Sequence, residues 1–370
     1  MRHPSRATRG SILAVAIVVA ASCGGGGGSP AGPSGGGGSG APSTPTNIRI
    51  NSQRILFTSN EISLAWDGNA SSYRLSAGTA PGGSESLSLE VTGNSYNWTA
   101  PRTEAVYFFR VQAIANGQTS NPSVELPIYT ADMRNIIDAI FFRSGPMSVD
   151  QLSPASNPTA YVWPDGTRLR VVVSNEAGES TRANAQRFVD DYASVVGGAI
   201  TATTELTAET FRDINSFDQI PSLTIYARVL NPFCGAGAIA CAFYGPPPNG
   251  PNKSIVTLAA ANNGPVATEH EMGHTYGMGH VRSTAALRPD INFMMNPSYQ
   301  VQHLSEPEKT AIATARAAGI GPGWRRNQAV SAGLVLENPT ALIPAYGGLS
   351  LTSGPFAPTI CRVRHDDRLR

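Results

Sequence analysis

His270-Glu271-Met272-Gly273-His274-Thr275-Tyr276-Gly277-Met278-Gly279-His280 is the stretch on which the reading of this chain depends. Its spacing is H-E-x-x-H-x-x-G-x-x-H. His270 and His274 are four apart, so a helix stacks them on one face, where two imidazoles can hold one metal ion. Glu271 lies about a third of a turn away, within reach of a water on that ion. Gly277 falls where the helix must end, because a left-handed turn there needs no Cβ. That turn brings His280 back as a third nitrogen. Three neutral imidazoles leave Zn2+ one open position, which distinguishes a catalytic site from a closed structural one. Three of the six histidines in the chain fall in this window. A satisfied core histidine would account for one of them, not for three at ligand spacing.

These residues resemble the signature of the metzincin zinc metallopeptidases. Phe293-Met294-Met295-Asn296-Pro297 follows, with Met295 fifteen residues past His280 (295 − 280). It is similar to the Met-turn beneath the metal in that clan, with Met295 as its methionine. The two methionines would be packing residues, not ligands, in that role or as ordinary core residues. The resemblance implies a zinc endopeptidase acting on protein or peptide substrates. Zn2+ would sit on His270, His274 and His280, with Glu271 as general base and then general acid. It also implies a candidate oxyanion donor in Tyr299, although four residues past Met295 is longer than the clan's spacing. The competing reading is a surface adhesion or binding protein whose zinc site is catalytically silent.

With 370 residues the chain has room for two domains. Lys and Arg number 27 against 26 Asp and Glu, a net charge of +1. That balance offers no basic field for nucleic acid and no acidic tail. A monomer is expected. Residues 1–23 read as an export signal: Arg2, Arg6 and Arg9 precede an apolar run at 12–21 that is too short to span a bilayer. Ala20-Ala21-Ser22-Cys23 resembles a bacterial lipoprotein cleavage site, with Ala20 where that family usually has Leu. Cys23 would then carry a lipid, the one expected attachment to a membrane. Cleavage by the ordinary signal peptidase stays open, so an exported protein is expected, either anchored to the outer membrane or secreted to the cell surface. Residues 24–44 are rich in Gly, Ser and Pro and form a tether. For an exported protein, Cys234 and Cys241 could bridge a small loop or remain two buried thiols; Cys361 has no evident partner.

Residues 45–129 read as an all-β sandwich, with short alternating runs between turn residues. Trp66, the Tyr107-Phe108-Phe109-Arg110-Val111-Gln112-Ala113 strand and the Ser120-Asn121-Pro122-Ser123 finish resemble a fibronectin type III domain. Such a module spaces or binds. Removing it should spare short peptide substrates. The aromatics could mark a binding surface, with core packing the commoner use.

Residues 131–325 change character, and a zincin-like α/β metallopeptidase domain is expected there. A helix covers 132–142, a buried strand 169–173, a helix 181–196, then strands at 200–204 and 223–229. Residues 238–246 resemble the edge strand of matrixins, which pairs with an extended substrate. Cys241 stands where that family often has a structural-zinc histidine, so no second zinc is expected. A strand at 254–258 leads to the helix carrying His270 and His274. Glu269 is either a group supporting the ligand His270 or, more commonly for such a position, part of a solvated helix face. His303 is expected to be structural. Ser305, Pro307 and Glu308 spell the start of another helix. Residues 326–370 form an extension of uncertain role, with strands expected at 329–336 and 341–351.

Overall fold

A computed structural model describes residues 40–55, 60–102, 104–142, 158–160, 162–208, 219–229, 240–244, 253–258, 264–281, 293–295 and 301–337. Eight strands come first: β1 (Thr46–Ile55), β2 (Asn60–Asp67), β3 (Ser72–Gly78), β4 (Leu87–Val91), β5 (Ser95–Ala100), β6 (Val106–Ala115), β7 (Gln118–Thr119) and β8 (Leu126–Tyr129). They form two antiparallel sheets, β1-β2-β5 and β4-β3-β6-β7, with β8 pairing on β6. This two-sheet sandwich follows from period-2 patterning. In β6, Tyr107, Phe109, Val111 and Ala113 are buried, while Phe108, Arg110 and Gln112 between them are less so. Trp66, Tyr73, Trp98, Tyr107 and Phe109 are core. Trp66 meets Tyr73 edge-on at 5.5 Å, and Trp98 meets Tyr107 at 4.9 Å. The Tyr107 hydroxyl accepts from the Arg102 N–H at 2.9 Å, a tyrosine corner tying β6 to the preceding loop. Asn116 and Gly117 both take positive φ (52° and 74°), as a two-residue turn between β6 and β7 requires.

A mixed α/β region follows: α1 (Ala131–Phe142), β9 (Arg168–Ser174), α2 (Gly178–Val195), β10 (Thr201–Thr207), β11 (Thr224–Val229), β12 (Ala240–Tyr244), β13 (Lys253–Leu258), α3 (Gly264–Thr275), α4 (Glu306–Ala317) and α5 (Arg326–Ser331). The strands form one sheet in the order β10-β9-β11-β13-β12. Its first four are parallel and β12 is an antiparallel edge. Every residue of β13 is buried, as expected of an inner parallel strand covered on both faces. Helices α2 and α3 pack on each other and on the sheet. Val171, Val173, Ile225, Val256 and Leu258 share a core with Phe188, Tyr192, Met272 and Tyr276. At α4, Ser305 accepts from the Glu308 N–H and the Glu308 carboxylate accepts from the Ser305 N–H, the capping box spelled by the sequence.

The expected strand at 329–336 is not formed. Residues 326–331 are the helix α5, and a turn follows. Arg326 donates to the fully buried Asp138 of α1 at 2.8 Å and to the Leu336 carbonyl at 2.6 Å. Ala329, Leu334 and Val335 then enter the main core. Long-range anchoring decides this segment against its own strand propensity. The expected strand at 341–351 lies outside the described residues, as do residues 1–39, where the export signal and most of the tether are expected. No described helix is long and apolar enough to cross a membrane.

Candidate metal centre

The first two histidines come from α3 and the third from the turn after it. Gly277 has φ 84°, as the sequence reading required, and its N–H donates to the His274 carbonyl. Two bonds pin the returning segment. The Gly279 N–H donates to the Ile140 carbonyl at the end of α1 (2.9 Å), and the Val281 N–H to the Met295 carbonyl (3.0 Å). His280 sits between them. The result is a cluster in which one ring nitrogen from each of His270, His274 and His280 lies within 4.8 Å of the others. Nε2 of His274 and Nε2 of His280 are 3.1 Å apart. Nitrogens about 2.05 Å from a tetrahedral zinc stand about 3.3 Å apart, so this spacing fits a shared ion.

The tautomers fit as well. Nδ1 of His270 is 2.8 Å from the Met294 carbonyl, and Nδ1 of His274 is 2.7 Å from the Met278 carbonyl. A carbonyl only accepts, so each Nδ1 carries the proton and each Nε2 is left to act as a metal donor. Burial holds the His274 imidazole down to about 4. Burial, and then the neighbouring His274, holds His270 well below the ordinary histidine range. Both rings are therefore neutral at pH 7, the state that metal ligation needs.

Beneath the cluster Met294 and Met295 are fully buried. Gly273 of α3 lies directly against them: a Cβ there would stand 2.4 Å from the Met295 sulfur. Sequence reading left Gly273 as one of the unspecified positions of H-E-x-x-H, with no role given to it. The signal was present, because glycine inside a helix costs about 1 kcal/mol relative to alanine and so needs a reason. It also passed over the second use of Glu308, whose carboxylate accepts from the Met294 and Met295 N–H groups at 3.0 and 2.9 Å.

Glu271 is fully buried one residue along α3 from His270. Glu269 is fully buried too, which corrects the solvated-face reading. It faces α2, where Arg187 donates to it at 3.1 Å. Burial pushes its carboxyl up to about 8 against the pull of Arg187. His303 stands half-exposed against Asp191 at 3.1 Å and is not one of the trio. Cys241 of β12 is disulfide-bonded. Cys234, Cys23, Cys361 and Tyr299 lie outside the described residues.

No family model matches the chain, and no curated protein matches it. Among solved structures, the FN5 domain of Drosophila Lar is similar over 24% of this chain and 97% of its own, at 19% identity and a TM-score of 0.21. The sixth fibronectin type III domain of human fibronectin type III domain containing protein 3 is similar over 26% of this chain and 92% of its own, at 20% identity and a TM-score of 0.22. The FN3 domain of human collagen XX gives 24%, 91%, 19% and 0.19 for the same measures. The sandwich itself rests on the strand pairing described above.

Proposed function

We propose that the protein is an exported zinc-dependent endopeptidase of metzincin type, held at the cell surface by a lipid on Cys23 or released. The observation that carries this reading is the three-imidazole cluster, two of its rings fully buried with Nδ1 committed to a carbonyl, and Glu271 buried one residue after His270. His270, His274 and His280 would hold the metal through ring nitrogens. A Zn2+ bound there would supply Lewis acidity, lowering the pKa of water to about 7 and polarising a carbonyl. Glu271 takes one proton from the attacking water as its oxygen bonds to the scissile carbon. It delivers that proton to the amine nitrogen as the C–N bond breaks, so one water is consumed and a carboxylic acid and an amine result. The sheet edge β12 holds an extended peptide through main-chain hydrogen bonds, which fixes its direction without reading its side chains.

A second reading keeps the metal and drops the chemistry. In it the sandwich adheres to a partner and the cluster serves as a structural staple; the complete burial of His270 and His274 favours it. One experiment separates the two. Purified protein is given quenched fluorogenic peptides with and without a chelator, alongside Glu271→Ala. The endopeptidase reading expects cleavage that the chelator stops, and a variant that keeps its metal but loses at least about 1,000-fold in turnover. No cleavage by the metal-loaded protein across a peptide library would favour the binding protein.

A further inference from the structure

Glu308 is a fully buried carboxylate that, among the described residues, accepts its hydrogen bonds from neutral donors. Its Oε1 accepts from Met295 N at 2.9 Å. Its Oε2 accepts from Met294 N at 3.0 Å, from Ser305 N at 2.8 Å and from the Ser305 hydroxyl at 2.8 Å. A helix cap accounts for the two Ser305 bonds. It does not account for the two bonds to the methionines, thirteen and fourteen residues back along the chain. Burial raises this carboxyl above the ordinary glutamate range, and the four hydrogen bonds offset only part of that rise. Three of the four partners are backbone N–H groups, which can only donate and reach both carboxylate oxygens, so this arrangement suits the anion.

The Met295 N–H and the Met294 C=O belong to one peptide group. Its N–H faces Glu308 and its C=O faces Nδ1 of His270 at 2.8 Å. We propose that Glu308 is a positioning residue for the metal centre, acting through this peptide group as a carboxylate–peptide–imidazole relay. The carboxylate draws on the N–H and enriches the carbonyl oxygen, which then holds the Nδ1 proton more strongly. A firmly held Nδ1 proton fixes the ring's orientation and makes Nε2 the better donor. The same clamp reaches the third ligand. The Met295 carbonyl accepts from Val281, next to His280, so fixing the 294–295 backbone fixes both ends of the ligand set.

This inference rests on the metal centre and not on peptidase activity, so its test reads metal. Co2+ affinity is measured by competition with a chromophoric chelator, together with the visible ligand-field spectrum. The proteins are the full chain, Glu308→Gln and Ser305→Ala. Glu308→Gln is expected to bind Co2+ about 10- to 100-fold more weakly, with a shifted ligand-field band. Ser305→Ala removes the capping hydroxyl but leaves both methionine bonds. It should lower thermal stability and leave Co2+ affinity and spectrum as in the parent. Glu308→Gln with parental affinity and spectrum overturns the relay, as does Ser305→Ala losing as much affinity as Glu308→Gln. If Glu308→Gln does not fold, Glu308→Asp takes its place, and parental affinity in that variant overturns the relay equally. A chain that binds Co2+ as expected yet cleaves no peptide would sink the endopeptidase reading and leave the relay standing.

Discussion

Gly273 shows how tightly single residues are constrained around the cluster. Its missing side chain is what lets Met295 lie under α3. Met295 is fully buried and its backbone is held by Glu308, so it has little room to yield. Gly273→Val is therefore expected to destabilise the protein by about 1–3 kcal/mol, the usual range for overpacking a filled core. Urea unfolding of the two proteins checks this, and equal midpoints would show that the methionine moves aside freely. Metal content should fall in the same variant, because the displaced backbone carries the His270 acceptor. At this scale the histidine cluster was legible in sequence, since helical spacing alone places His270 and His274 together. Glu269 was not. Its burial depends on Arg187, 82 residues earlier in the chain, approaching from α2.

Helix α1 joins most of the molecule's parts. Its start is capped by Thr130, whose hydroxyl donates to the Ala105 carbonyl and whose N–H donates to the same oxygen. Its middle carries Asp138, paired with Arg326 of α5. Its end offers the Ile140 carbonyl to Gly279, beside His280. Arg326→Ala would strip the guanidinium from a carboxylate with no exposure to water and release the Leu336 carbonyl. Breaking such a buried pair costs about 3–5 kcal/mol. The expected outcome is a large drop in the urea midpoint. A change under about 1 kcal/mol would mean that water or another group replaces the guanidinium at little cost. Most elements were legible from periodicity, β6 and the α4 cap above all. The helix α5 was not, because its six residues hold no period long enough to read, and what keeps them helical is the contact to α1.

Across the whole molecule, the described residues from 41 onward cluster as one unit. The sequence alone leads one to expect a separable sandwich whose loss spares short peptides. The structure ties it in more closely. Ala105 of the sandwich region bonds to the cap of α1, and Val106 of β6 belongs to the main α/β core. Removing residues 41–129 should thus lower the melting temperature of the remainder and its retention of metal. Each kcal/mol lost corresponds to about 2–4 °C in a chain of this size. Calorimetry with metal analysis checks this, and an unchanged melting temperature with full metal content would restore the picture of an independent module.

By itself the sequence determined which side chains can ligate and roughly which segments are strand or helix. Those properties depend on residue type and on spacings of two, four or six positions, which local backbone geometry converts directly into shared faces. Only the tertiary structure decided what lies behind the ligands: the Met294 carbonyl on His270, Glu308 on the Met294–Met295 backbone, Met295 against Gly273, and Arg326 on Asp138. These contacts join residues from 13 to 188 positions apart. No local period records them, because each forms only when hydrophobic burial has brought separate elements together and left every buried polar group in need of a partner.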